Sequence, residues 1–278
     1  MKTRKLSSFF LLAIVMMILS CKKDESKNDT QSATELSTSN QVSFTDDQVT
    51  EGIATAMDAA DGTEDGSADL RPASCATITT NADTKTITID FGTGCLNPVT
   101  GLYRSGKIIV GYTGTSYTQA TARTIEFVNY KTVDTVTLNG TFTQSNIVRT
   151  DNSIAFTLST SNFSFQFTDG KTHTLVTFTR DFIINLGANL RDFSDNTTTI
   201  TGNTTGINKE GEAYTVTITT PVVISGACAL DYIFYPASGS YDIKIGSRPK
   251  FTLTWGTGDC DKIVTVIYLG ISVDITLK

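Results

Sequence analysis

The sequence predicts an all-β protein: an antiparallel multi-stranded meander, either barrel-like or folded as a two-sheet sandwich, with one short N-terminal helix. From residue 75 to residue 278, apolar or aromatic residues alternate with threonines and charged residues, as in strands with one buried face. No apolar stripe at helical spacing interrupts that alternation, so successive strands are expected to pair as hairpins. Turn-forming clusters divide it: Asn81-Ala-Asp, Asn139-Gly, Thr168-Asp-Gly-Lys, Asn208-Lys-Glu-Gly and Ser238-Gly.

Residues 1–20 predict a signal peptide. They begin with basic residues and continue as an apolar run, Phe9 to Leu19, which is short for a bilayer-spanning helix. The run ends at Ser20-Cys21, which resembles the lipobox of bacterial lipoproteins. The resemblance implies cleavage before Cys21 and attachment of acyl chains, palmitate among them, at that residue. An ordinary signal peptide followed by an incidental cysteine is the alternative.

The residues after Cys21 suggest where in the cell the protein is located. Lys22-Lys-Asp-Glu25 resembles an export signal of Bacteroidetes lipoproteins that reach the cell surface. We therefore expect an outer membrane lipoprotein that faces the cell exterior, with the periplasmic face as the alternative. The same four residues also suit the start of a charged tether, and residues 21–43 have too few apolar residues to pack. Residues 21–43 are therefore predicted to be a lipidated flexible tether.

Residues 44–74 predict the short helix and an acidic linker. Thr45 can cap the helix, and Asp46 and Asp47 suit its positive N-terminal end. Four residues form one apolar stripe that is expected to dock on the domain: Val49, Ile53, Met57 and Ala60.

The acidic linker, Asp61 to Asp69, superficially matches a calcium-binding loop. Its twelfth position is Pro72, which has no side-chain oxygen to replace the bidentate glutamate of such loops. We therefore predict no metal and no cofactor. Residues 75–278 are predicted to form a single all-β domain.

The charge distribution argues against nucleic acid as a partner. Residues 21–70 contain 12 acidic and three basic residues, whereas residues 71–278 contain 16 of each. No basic cluster alternates with aromatic residues, as a nucleic-acid face would require. The expected partners are the membrane, through the N-terminal lipid, and an unidentified protein or glycan.

The four remaining cysteines predict two disulfides in an exported chain. The stretch Ile87-Thr-Ile-Asp-Phe-Gly-Thr-Gly-Cys95 is echoed by Phe251-Thr-Leu-Thr-Trp-Gly-Thr-Gly-Asp-Cys260. Each copy is preceded by another cysteine, Cys75 or Cys228, with hairpin-like strands between the two. Four cysteines allow three connectivities, and this arrangement favours Cys75–Cys95 and Cys228–Cys260, each beside a glycine kink.

The first copy also contains three look-alikes of active-site motifs. Its Asp-Phe-Gly lacks the catalytic loop of a kinase, and its glycines lead to a loop and another strand rather than to a helix N-terminus. A nucleophilic Cys95 would need a base, and the single histidine, His173, lies in a predicted hairpin turn. We therefore expect a structural role for this stretch and predict no catalytic residue.

Several segments of the chain resemble a known family. The segments that carry it are residues 90–95 (DFGTGC), 101–114, 123–130, 214–221 and the final Gly-Asp-Cys-Asp261. Together with the lipobox they resemble an uncharacterised Bacteroidetes cell-envelope lipoprotein family. The resemblance implies an envelope location and an all-β fold, and it carries no activity or site residues to transfer.

Three classes of function follow from these observations. The preferred one is a non-enzymatic binding or interaction module, whose binding residues are unknown but would come from loops or exposed aromatics such as Tyr103, Tyr112, Tyr117 or Tyr235. A structural envelope component is the alternative. A carboxylate-dependent hydrolase is a further one, with candidates Asp90, Glu126, Asp181, Asp231 and Asp242. Trp255 is expected in the core.

Overall fold

The computed structural model describes residues 48–57, 59–60, 75–96, 103–132, 136–188, 193–230 and 235–276. The predictions for the signal peptide, Cys21, the tether, the helix cap at Thr45 and the acidic linker fall outside these residues. Within them, 14 strands form one sheet. The strands are β1 Thr77–Asn81, β2 Thr86–Asp90, β3 Cys95–Leu96, β4 Tyr103–Tyr112, β5 Arg123–Lys131, β6 Val136–Arg149, β7 Ser153–Phe167, β8 Thr172–Asn185, β9 Thr197–Ile207, β10 Ala213–Ser225, β11 Ser238–Ile245, β12 Phe251–Thr257, β13 Ile263–Tyr268 and β14 Ile271–Thr276.

The sheet is an antiparallel meander. Each strand pairs with the next one along the chain, except that β2 pairs with β4 and the two-residue β3 pairs only with β4 in the part of the chain described. β1 and β14 form the two edges, and the sheet does not close. The all-β fold class and the meander are confirmed. The hairpin turns predicted after Asn81, Thr168 and Asn208 are also present.

Asn139-Gly140 is not a turn, so that prediction is wrong. Both residues lie inside β6, where the pairing with β7 shifts register between Asn139 and Phe142. Gly140 has a φ of 132°, and a Cβ atom there would lie 2.8 Å from Cδ2 of Phe163. The glycine therefore serves a β-bulge and a close approach to β7, two reasons for glycine in a strand interior. Ser238-Gly239 likewise begins β11 at a register shift.

The N-terminal helix α1 comprises residues 48–57 and 59–60 and packs on the sheet. Val49, Ile53 and Ala60 are buried, and Met57 is half-buried against the same core, so the predicted stripe is confirmed. Gly52 lies over Phe127 of β5, where a Cβ atom would come within 2.4 Å of the ring carbon Cε1. The helix therefore approaches the sheet more closely than any residue larger than glycine would allow.

The sheet face that α1 covers is the inner face. Across β2, β4 and β5, Ile89, Ile108 and Phe127 lie directly opposite one another on it. Farther along, Phe127, Phe142 and Phe163 make edge-on and tilted ring contacts with centroids 4.8 to 6.5 Å apart. This cluster, here the first core, extends to β8.

A second core lies on β10 to β13. It contains Val216, Ile243, Phe251 and Leu253, together with Trp255, whose ring stacks on Tyr235 with centroids 6.1 Å apart. Trp255 is thus a core residue, as predicted. Two short helical segments were not predicted: Phe193–Asp195, a 3-10 turn, and Gly226–Leu230, here α2.

Candidate functional site

The segment from Ile87 to Cys95, which contains the three look-alikes of active-site motifs, ends in a turn that a disulfide closes. We call this turn the corner. Asp90 at the end of β2 accepts a hydrogen bond from the Gly92 amide at 2.8 Å and forms an ion pair with Lys107 at 2.8 Å. The hydrogen bond from Lys107, followed by that from Gly92, holds the pKa of the Asp90 carboxyl below its usual value. Cys95 is bonded to Cys75, as predicted. The cysteine therefore carries no free thiol, and the aspartate is committed to local pairing.

Both glycines of this corner have left-handed backbone conformations. Gly92 has a φ of 59° and Gly94 a φ of 144°, and a Cβ atom on Gly94 would lie 1.9 Å from the hydroxyl oxygen of Tyr103. The echo near the C-terminus repeats this arrangement: Gly256 and Gly258 have φ values of 39° and 126°. The Cys228–Cys260 disulfide closes the second corner, again as predicted.

The structure does not bring the candidate carboxylates together. Asp90, Glu126, Asp181 and Asp242 lie on β2, β5, β8 and β11, and Asp231 lies outside the described residues. Asp181 accepts a hydrogen bond from Thr157 at 2.7 Å, and Asp242 binds Lys250 and accepts a hydrogen bond from Thr252 at 2.6 Å. A hydrolase of the paired-carboxylate type needs two carboxyls that converge on one bond. These four do not supply that pair.

The aromatic candidates are mostly buried. Tyr117 and Tyr235 belong to the interior, and Tyr112 is half-buried. The ring of Tyr117 lies under the guanidinium of Arg123, with 3.9 Å from that carbon to the ring centroid. Tyr103 is 49% exposed and is the one candidate of the four on the surface. A row of aromatic side chains for a flat ligand is therefore not formed by these residues.

Sequence reasoning missed a polar cluster beneath α1. The carboxylate of Glu51 accepts hydrogen bonds from Thr55 at 3.0 Å, from Tyr130 at 3.0 Å, and from two guanidinium nitrogens of Arg104, Nε at 3.0 Å and Nη2. Arg104 is 2% exposed, and Tyr130 is completely buried. One signal was present in the sequence. Arg104 lies four residues before Ile108 in β4, so the alternation of the strand places both side chains on the inner face.

The electrostatics of this cluster indicate docking rather than catalysis. Burial, then the negative charge of Glu51, raises the pKa of Tyr130 well above its usual value. Burial alone would lower the pKa of Arg104, but the charge of Glu51 and the interactions with Tyr130 together outweigh burial, so the pKa is raised. At neutral pH the tyrosine is therefore a neutral hydrogen-bond donor and the arginine is charged. The cluster fixes α1 to β4 and β5.

The single histidine joins the two cores. His173 lies in β8 and not in a turn, which corrects the prediction; the turn ends at Lys171. Its Nε2 lies 2.7 Å from the hydroxyl oxygen of Tyr214 on β10, and Nδ1 has no hydrogen-bond partner among the described residues. Gly206 on the intervening β9 leaves room for this contact, since a Cβ atom there would lie 2.4 Å from the Tyr214 ring. Burial lowers the pKa of His173 to about 4.

The most distinctive surface feature is at the C-terminal edge. Leu269, Ile271 and Val273 are 69%, 68% and 55% exposed, and Ile263 on the neighbouring strand is 41% exposed. We call Leu269, Ile271 and Val273 the apolar edge. Such residues are costly to expose together, and contiguous apolar patches mark interaction surfaces. The sequence contained the alternating pattern of β14 but not its position at the end of the sheet.

Comparisons with known proteins add no relative: no protein-family model, curated protein or solved structure matches this chain. In the described part of the chain, no three His, Cys, Asp or Glu side chains are placed to hold a metal ion. None of the helices described there is both long enough and apolar enough to span a bilayer.

Proposed function

We propose that this protein is an outer membrane lipoprotein, exposed on the cell surface, that acts as a non-enzymatic binding or interaction module. The observation that carries the interaction role is the apolar edge, a surface of exposed aliphatic side chains on a disulfide-stapled sheet. Three of the carboxylates considered for hydrolysis, Asp90, Asp181 and Asp242, each bind a different partner, which favours binding over catalysis. The anchor rests on the resemblance of Ser20-Cys21 to a lipobox and of Lys22 to Glu25 to an export signal.

Expression in a Bacteroidetes host tests both the lipid anchor at Cys21 and the location on the cell surface. Labelled palmitate should be incorporated into the wild-type chain and not into a Cys21→Ser variant, because that thiol is the acceptor. Protease added to intact cells should degrade the wild-type chain. If the chain survives while the outer membrane is sound, the surface address is wrong and the periplasmic face takes its place.

The interaction role is tested by site-specific photo-crosslinking in the same cells. A photoreactive residue at position 271, on the apolar edge, should yield a discrete cross-linked product. The matched control is position 126, since Glu126 is exposed on the outer face of β5 in the middle of the fold. Equal products at both positions would contradict the role of the apolar edge, and no product at either would contradict the interaction module itself.

A further inference from the structure

The apolar edge lies where the second core reaches β14, the last strand of the sheet. One row of directly paired residues on the inner face runs through Phe251, Tyr268 and Ile271, on β12, β13 and β14. Exposure rises along this row from 6% at Phe251 to 68% at Ile271. The parallel row through Leu253, Val266 and Val273 rises from 3% to 55%. The core therefore continues to the sheet edge, where no further strand among the described residues completes it.

The outer backbone edge of β14 also has no partner strand among the residues that the structure describes. Leu269 and Gly270 have φ values of 50° and 80°, as in the type I′ turn of a two-residue hairpin. In such a hairpin the closing pair, Tyr268 and Ile271, is hydrogen-bonded, and pairs alternate from there. Ser272 and Asp274 therefore direct their N–H and C=O groups away from β13. Among the described residues β14 pairs with β13 alone. An exposed strand edge of this kind is a template for another strand.

We propose that the apolar edge binds a second copy of this chain, with the two β14 strands pairing antiparallel about a two-fold axis at Val273. This deepens, and rests on, the interaction module proposed above. The two sheets become one continuous sheet, and the second cores of both protomers meet at the junction. Such an interface is self-complementary, as two-fold symmetry requires.

The side chains of β14 select the axis position. With the axis at Val273, Ile271 faces the partner's Ile275 and Val273 faces the partner's Val273, so aliphatic residues meet on the inner face. Asp274 then faces the partner's Ser272. An axis at Asp274 would place the two carboxylates opposite each other, which is destabilising. An axis at Ser272 would place Ile275 opposite the partner's turn.

The other sheet edge explains why the pairing is between identical strands. β1 has the sequence TITTN, with one aliphatic residue, Ile78, which is half-buried against the first core. A β14-to-β1 contact would leave Ile271 and Val273 facing threonines, and it would repeat head to tail into an open filament. The β14-to-β14 contact closes after two copies. Confinement of both copies to one membrane would raise their effective concentration.

Cysteine substitution tests the register on the full-length chain in detergent. Val273 faces β13 with its backbone groups, so the symmetric pair at the axis is of the non-hydrogen-bonded kind, with Cα atoms about 4.5 Å apart, close enough for a disulfide. Val273→Cys should form an intermolecular disulfide under mild oxidation. The control is Ile271→Cys, which is at least as exposed but would lie roughly 14 Å from its counterpart, four residues away along the strands. Peptide mapping should identify the 273–273 link beside the native disulfides. Cross-linking of both variants to the same extent, or of neither, would overturn the proposal.

Charge substitution tests the same axis without a covalent bond. Val273→Lys alone and Val273→Glu alone should each be monomeric by sedimentation, because like charges then face each other across the axis. A mixture of the two should dimerise. Both substitutions change an exposed side chain, and circular dichroism checks that the fold is retained. Failure of the mixture to dimerise while the wild type does would show that the axis lies elsewhere.

The two proposals fail independently. A chain that takes up palmitate and cross-links to another protein through position 271, but forms no 273–273 disulfide, would contradict self-association alone. A chain that forms the 273–273 disulfide but takes up no palmitate would contradict the anchor alone.

Discussion

His173 is completely buried, makes one short hydrogen bond through Nε2, and in the described part of the chain has no partner for its other ring nitrogen. Because burial lowers its pKa to about 4, it is neutral at pH 7 and acts as a packed aromatic with one polar contact. The phenol of Tyr214 and the ring of Phe165, 5.6 Å away between centroids, hold it in place. The single histidine, which the sequence did not favour as a catalytic base, therefore has a structural role between the two cores.

Its lowered pKa predicts a pH dependence of stability. The unfolded chain binds a proton at His173 near pH 6.5, whereas the folded chain does so only near pH 4. The unfolded state therefore gains protons first as the pH falls, so stability is unaffected above pH 6.5 and declines between pH 6.5 and pH 4. The loss should amount to roughly 3 kcal/mol.

Urea unfolding at several pH values between 7 and 4 measures this decline. His173→Gln is the control, because an amide can still bond to Tyr214 but does not titrate. The free energy of unfolding of the variant should fall less steeply across this window, whatever its absolute value at pH 7. Parallel curves for the two proteins would show that His173 is not the group responsible.

The helix α1 is held on the sheet by close packing as well as by an ion pair. Gly52 allows the helix to rest on Phe127, and Glu51 places its carboxylate between Arg104 and Tyr130. Removing one partner of this ion pair would leave an uncompensated charge beneath the helix, so the pair favours the docked position of α1. The apolar stripe was readable from the sequence because it depends on spacing within the helix. The polar cluster depends on which strands lie beneath the helix, which spacing does not reveal.

Gly52→Ala should destabilise the protein although alanine favours helices by about 1 kcal/mol. The added methyl group would lie 2.4 Å from the Phe127 ring, and overpacking of a close-packed core costs roughly 1 to 3 kcal/mol. Thr50→Ala, at a half-buried position on the same helix, is the control and should change stability by about 0.5 kcal/mol or less. Urea unfolding followed by circular dichroism measures both. A Gly52→Ala variant as stable as the control would mean that α1 does not press on β5.

Within the whole molecule, the two disulfides lie toward the two edges of the sheet, one near β1 and the other near β14. Cys75–Cys95 joins the segment before β1 to β3, and Cys228–Cys260 joins α2 to the segment after β12. Edge strands are paired on one side, so they open more readily than central strands do. Stapling both ends compensates for a sheet that does not close.

Removal of either disulfide should therefore have a local and a global effect. The Cys228→Ser/Cys260→Ser double variant should lose about 3 to 4 kcal/mol of unfolding free energy by the chain-entropy model, for a separation of 32 residues. Hydrogen exchange should accelerate most in β12 to β14 and least in β6 to β8. The Cys75→Ser/Cys95→Ser variant is the matched comparison, with the acceleration at β1 to β4. Uniform acceleration in both variants would contradict a role at the edges.

The fold class, the apolar stripe of α1, the favoured disulfide pairing and the structural role of the two Gly-Thr-Gly segments could all be predicted from the amino-acid sequence. These features depend on alternation, spacing and residue type within short segments, which are local properties of a chain. The hairpin turn predicted at Asn139-Gly140 is wrong. Asn-Gly favours such a turn locally, but the pairing of β6 with β7 places a β-bulge there. The burial of His173, the ion pair between Arg104 and Glu51 and the exposure of Ile271 and Val273 depend instead on how the strands are arranged in the fold. An alternating pattern specifies two faces of a strand but not its neighbours, so which strand ends the sheet is a property of the whole fold.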